Sequence, residues 1–107
     1  MPTNHSEKLE RMRQLRDAKV MSHLKQYAPV WLLDEVPNFR DDVLQFNVVF
    51  YHPLYGWVNR RYRFDAFNQV LYHQGQRVIP EEEAFSLEDK KPYIPAETIN
   101  TVQSYGG

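Results

Sequence analysis

Four histidines, His5, His23, His52 and His73, are the side chains of this 107-residue chain whose ordinary titration falls near neutral pH. None sits at H-x-x-x-H or H-E-x-x-H spacing, so no helix presets a pair of metal ligands. In an antiparallel meander the ends of the first and third strands share one edge. That arrangement would bring His52 and His73 to about 9.5 Å, two strand spacings, with Glu81 to Glu83 nearby. The metal reading of this pair is poorly specified. Cysteine is absent, which removes thiolate ligands, disulfides and a cysteine nucleophile. Ser6, Ser22, Ser86 and Ser104 all lie outside a G-x-S-x-G elbow, and the four glycines make neither a P-loop nor a dinucleotide fingerprint. Carboxylates pair at Asp34-Glu35, Asp41-Asp42 and Glu81-Glu83. General acid-base work needs one such group in a desolvated pocket, and these lie in polar segments that read as solvated surface. The chemistry expected of the chain is therefore not that of an enzyme, and no metal or cofactor is expected.

The stretch Trp57-Val58-Asn59-Arg60-Arg61-Tyr62-Arg63-Phe64 is the most distinctive. Read as a strand, it places Trp57, Asn59, Arg61 and Arg63 on one face, with Val58, Arg60, Tyr62 and Phe64 on the other. Trp, Tyr and Arg are the side chains most enriched at protein interfaces. The expected partner-binding residues are Trp31, Trp57, Arg61, Arg63 and Tyr93. The same stretch suits a single strand of nucleic acid, stacked on aromatics and paired with arginines. It lacks the glycine of the RRM strand signature.

The elements that must position these residues read in order along the chain. Residues 6–27 form a helix, with Ser6 as its N-cap, Glu7 and Glu10 at its positive end and Lys25 at its negative end. Leu9, Val20, Leu24 and Tyr27 share one side of the wheel, flanked by Met12, Met21 and His23. Arg13 and Arg16 interrupt that stripe. Such a helix either packs on the domain with its arginines snorkelling, or docks on another protein or on anionic lipid heads. Residues 28–42 read as an irregular connector around Val30-Trp31-Leu32-Leu33, because Pro29 and Pro37 bracket it. Val43 to Tyr51 alternates cleanly as a strand, with Leu44, Phe46, Val48 and Phe50 on an apolar face. Trp57 to Phe64 returns after a Pro-Gly turn. Phe67 to His73 and Arg77 to Ile79 read as third and fourth strands joined at Gln74-Gly75. Glu81 to Asp89 reads as a short helix and the chain from Pro92 as an extended tail. The order gives an α+β fold: a long N-terminal helix, a four-stranded antiparallel meander, a short C-terminal helix and the tail. The divisions expected are 1–28 (basic helix), 29–91 (small α+β domain) and 92–107 (tail).

Composition bounds the function. At 42% hydrophobic and 25% charged, the chain matches ordinary globular usage and excludes a disordered, collagenous or coiled-coil class. Its longest uncharged apolar run, Ala28 to Leu33, is far short of the ~20 residues of a membrane span. Charge is blocky although the total is −1: residues 1–27 and 57–80 are basic, 28–56 and 81–107 acidic. Overall acidity argues against a nucleic-acid partner. No apolar h-region marks a secretory signal, and Glu7, Glu10 and Asp17 spoil a mitochondrial presequence. The expectation is an intracellular chain, cytoplasmic or mitochondrial, with no cleaved targeting sequence. Aromatics at 14% and a basic helix fit an accessory subunit of a larger multiprotein assembly, mitochondrial assemblies included. Its partners would be other protein subunits, with contact to anionic lipid or a membrane complex through the helix. Two rivals remain: a single-stranded nucleic-acid-binding module, and a small enzyme or metal-binding protein.

Overall fold

Four consecutive apolar residues of one strand face, Leu44, Phe46, Val48 and Phe50, are fully buried, and the fold is organised around them. A computed structural model describes residues 5–96. The elements are α1 (His5–Leu24), continued by a 3₁₀ turn (Lys25–Tyr27), then β1 (Trp31–Asn38), β2 (Val43–His52), β3 (Gly56–Asp65), β4 (Val70–Val78) and α2 (Glu81–Phe85). The strands pair in sequence order, all antiparallel, as one sheet. This is the expected α+β meander with its N-terminal and short C-terminal helices. The part of the tail beyond residue 96 lies outside the described residues.

Helix α1 lies on the inner face of the sheet. Its 20 residues span about 30 Å, close to the ~33 Å of the ten-residue strand β2. At one end His5 stacks on Phe39, and Lys8 donates to the Phe39 carbonyl and pairs with Asp42. At the other, Tyr27 stacks on Phe50 and His52. Met12, Val20 and Leu24 join the core formed by Leu44, Phe46, Val48 and Phe50 of β2 and Val58, Tyr62 and Phe64 of β3. The helix thus packs on its own sheet. It has already begun at His5, one residue before the expected cap Ser6. Its arginines do not both snorkel, because Arg16 is buried.

The short C-terminal helix ends at Phe85 rather than Asp89, and two further segments differ more from the sequence expectation. The proline-bracketed connector contains β1, an edge strand. Pro37 is tolerated there because an edge residue has no outer neighbour to donate to. Within it Asp34 and Glu35 together stand opposite the single Phe46, a bulge made possible by Asp34 at φ 52°. The bulge sends Glu35 to the helix side. The second difference is β4, one strand where two were expected. Gln74-Gly75 is not a hairpin loop: Gly75 pairs with Arg61 and His73 with Tyr62, leaving Gln74 as the extra residue of a bulge. Gly75 takes φ 151°, which a side chain would strain.

The chain after α2 folds back. Val30 exchanges backbone hydrogen bonds with Ile94 at 2.9 and 3.0 Å, and Ile94 is buried in the main core. Among the described residues no helix is long and apolar enough to cross a membrane.

Candidate interaction face

Strand alternation sorts the sheet into an inner face under α1 and an outer face. The outer face carries Trp31, Leu33 and Val36 from β1, and Gln45, Asn47, Val49 and Tyr51 from β2. It continues with Trp57, Asn59, Arg61 and Arg63 from β3, and Val70, Tyr72 and Arg77 from β4. One half is covered. Trp31, Val49, Ile79, Ala84 and Leu87 form a second apolar cluster beneath α2, with Leu33 and Trp57 against its rim. Among the described residues no element covers the other half. It presents Val36, Gln45, Asn47, Arg61, Arg63 and Tyr72.

The open half is polar and positively charged. Arg61 donates from Nη1 to Asn47 Oδ1 at 2.7 Å, and Asn47 Nδ2 donates in turn to Asn59 Oδ1 at 2.7 Å. Arg63 lies over the Tyr72 ring at 5.6 Å. Both arginines are half-buried, and among the described residues neither has a carboxylate within ion-pairing distance. Asp65, at the end of the same strand, is committed to its turn: the Asn68 backbone N–H and side-chain amide donate to it and hold its carboxyl below the usual range. The result is two half-buried cations positioned by amide and aromatic neighbours.

The five expected partner residues separate in the structure. Trp57, Arg61 and Arg63 share the outer face as their spacing implied. Trp57 is half-buried, tilted on Trp31 and edge-on to Tyr51. Trp31 is 8% exposed and donates its indole N–H to the Lys90 carbonyl at 3.0 Å, so it is engaged in seating α2. Tyr93 lies at the inner side, with Arg16 over its ring and its hydroxyl bonded to Asp17. Burial and the Asp17 bond push the Tyr93 hydroxyl well up. The His52–His73 pairing does not form. His52 is level with Gly56 and His73 with Tyr62, six positions along β3 and about 20 Å apart. Burial and nearby Arg60 push His73 down. Among the described residues no group of three or more metal-ligating side chains gathers. A groove of about 670 Å³ between α1 and the β3–β4 turn is lined by Glu7, Lys8, Arg11, Met12, Asp42 and Phe67 among others, with Lys8 paired to Asp42.

One group of charged residues was not expected. Arg16 is 3% exposed and lies between the Phe46 and Tyr93 rings, 5.1 and 5.5 Å from their centres. Its guanidinium donates to Glu35 at 2.6 Å and to Asp17 at 2.9 Å, and Arg13 donates to the same Glu35 carboxylate. Burial alone pushes the Glu35 carboxyl up. The hydrogen bonds from Arg13 and Arg16 outweigh it and hold the group below its ordinary 4.5. The folded state therefore binds fewer protons at Glu35 than the unfolded chain. The stability this supplies is complete above the ordinary glutamate range and disappears as pH falls through the lower folded value. Urea midpoints measured between pH 7 and pH 3 should fall in that acid window. Glu35→Gln should flatten that part of the profile. An unchanged profile in the variant would remove Glu35 as its source.

Fold and face together define a small α+β domain that closes one side of its sheet with a helix and leaves half of the other side open. Compared with known protein families, with curated proteins and with solved structures, the chain has no match. The functional reading rests on the face itself.

Proposed function

We propose that this chain is a non-catalytic interaction subunit, an accessory component of a larger multiprotein assembly, and that it meets its partner through the open half of the outer sheet face. The observation that carries this is Arg61 and Arg63: half-buried, held by Asn47 and Tyr72, and lacking a carboxylate among the described residues. Holding two long cations in fixed positions removes the side-chain entropy that binding would otherwise cost. Tyr72 and Val36, 44% and 52% exposed, supply apolar area beside them. Trp57 borders the patch, where it both packs and contacts.

Nuclease-treated affinity purification, read by native sizing, tests the role. The chain should run in a larger complex at fixed stoichiometry. Arg61→Ala with Arg63→Ala should lower recovery of the partner by about tenfold or more, the loss of roughly 1.4 kcal/mol or more. Its melting temperature should stay within about 4 °C of the parent, because surface changes cost little. A chain that runs as a free monomer would overturn the role. A nucleic-acid reading draws on the same face, where Trp57, Arg61, Arg63 and Tyr72 lie together. Stacking platforms need open rings, however; Trp31 and Tyr51 flank Trp57, and one side of the exposed Tyr72 carries Arg63. Binding lost to nuclease, with affinity falling steeply in salt, would favour it.

A further inference from the structure

We propose that the outer edge of β4 accepts an extended acidic segment of a partner protein as a fifth strand. The inference rests on the interaction role above and specifies its mode.

Among the described residues the sheet has two edges, and they are built differently. An unpaired edge offers a row of backbone N–H and C=O groups to any extended chain. The β1 edge is blunted: Pro37 lacks a donor, the Asp34-Glu35 bulge breaks the line, and Val30 at its start is already bonded to Tyr93 and Ile94. The β4 edge has none of these guards except its bulge. It runs nine residues, Val70–Val78, without proline or lysine, and all but Leu71 are exposed. The bulge at Gln74-Gly75 divides it into two runs, Val70 to His73 and Gln76 to Val78.

Charge names the occupant. From Ala66 to Pro80 there is no Asp or Glu. Arginines of β3 lie on both faces beside this edge, Arg60 also donating to the Tyr62 hydroxyl and lying over the Phe50 ring of β2 at 5.0 Å. On the inner face Arg60 donates from Nε to Gln76 at 2.7 Å, and on the outer face Arg63 lies over Tyr72. Among the described residues neither forms an ion pair. The carboxylates that flank this stretch stand at its two ends: Asp65, engaged by Asn68, and beyond Pro80 the exposed Glu81, Glu82 and Glu83, of which Glu83 pairs with Arg77 at 3.3 Å. A strand added ~4.8 Å beyond β4 would send alternate side chains to both faces, where Arg60 stands on the inner side and Arg63 and Arg77 on the outer. Acidic residues suit both sides. A second copy of β4 would bring Arg77, Arg60 and Arg63 against their own kind, so like charge opposes self-pairing.

The probe is a short labelled Glu-Val peptide of Glu-Glu-Val-Val repeat, which puts Glu on both faces of a strand, titrated into the full-length protein by fluorescence anisotropy, with amide signals followed by NMR. It should bind, shift the amides of Val70 to His73 and Gln76 to Val78, protect the alternate ones that point away from β3, and leave those of β1 unchanged. The same peptide N-methylated at alternate residues should bind about tenfold more weakly, because it cannot complete the ladder. A Lys-Val peptide should not bind. Equal affinity of the methylated peptide, or absence of binding by the Glu-Val peptide, would overturn the proposal. Protection of β4 in the protein alone, with dimerisation, would assign the edge to a second copy and overturn it too. Shifts confined to Arg61 and Arg63 would overturn the fifth strand while the interaction role stood. A protein that purifies as a monomer yet binds the peptide along β4 would do the reverse.

Discussion

Glu35→Ala is expected to lower the unfolding free energy by about 3 kcal/mol, while Arg16→Met costs distinctly less. Removing one partner of a buried ion pair strands the other charge, at about 3–5 kcal/mol. The Glu35 side chain is 15% exposed and serves two arginines. Without it Arg16, whose side chain is 4% exposed, keeps only Asp17. That residual bond sets the expectation at the low end of the range. Arg13 is 42% exposed and rehydrates cheaply. The methionine variant differs in kind. It fills the slot between Phe46 and Tyr93 with a flexible apolar side chain of similar length. It also leaves Glu35 paired with Arg13 at 2.5 Å, so no charge is abandoned in the interior. Denaturant midpoints of the two variants decide the matter, given a total stability of only about 5–15 kcal/mol for a domain of this kind. If Arg16→Met proved the more damaging, the guanidinium itself would be the stabilising element and burial of charge would not govern this site.

This site was the least legible part of the sequence, for a definite reason. Glu35 stands beside Asp34 in a segment with two prolines, which is the composition of a solvated connector. Its burial depends on the bulge at Asp34, a backbone event with no hydrophobic period to announce it. The signal that existed lay elsewhere, in Arg13 and Arg16 inside the apolar stripe of α1. A cation on a core-facing stripe needs a carboxylate somewhere across the interface. By contrast β2 and β3 were legible because period-2 alternation ran through both, with the one interruption at Arg60 in β3. The same alternation placed Trp57, Arg61 and Arg63 on one face. Gln74-Gly75 has the composition of a two-residue hairpin loop and is instead a bulge. Glycine serves both geometries, and only pairing with Arg61 across β3 distinguishes them.

Trp31→Ala is expected to cost about 3–5 kcal/mol, the range for truncating a buried aromatic, and Trp31→Phe about 1–3 kcal/mol. The alanine variant removes the residue that joins β1 to α2. Its ring packs with Val49, Ile79, Ala84 and Leu87, 6.3 Å from Trp57, and its N–H satisfies the Lys90 carbonyl. Phenylalanine keeps most of the packing and loses that hydrogen bond. Unfolding by urea should rank them parent, Phe, Ala, and equal midpoints for Phe and Ala would mean that the hydrogen bond, not the ring, secures α2. The ranking also separates two roles that the sequence offers together. Trp31 and Arg61 both belong to residue types enriched at interfaces, yet Trp31 is 8% exposed and Arg61 is half-buried on the open face. A partner lost on Trp31→Ala should be lost in proportion to unfolded protein, and should return when the variant is assayed at a temperature where it is folded. A partner lost on Arg61→Ala with Arg63→Ala should not return on cooling, because no folding equilibrium stands between those side chains and the surface they meet.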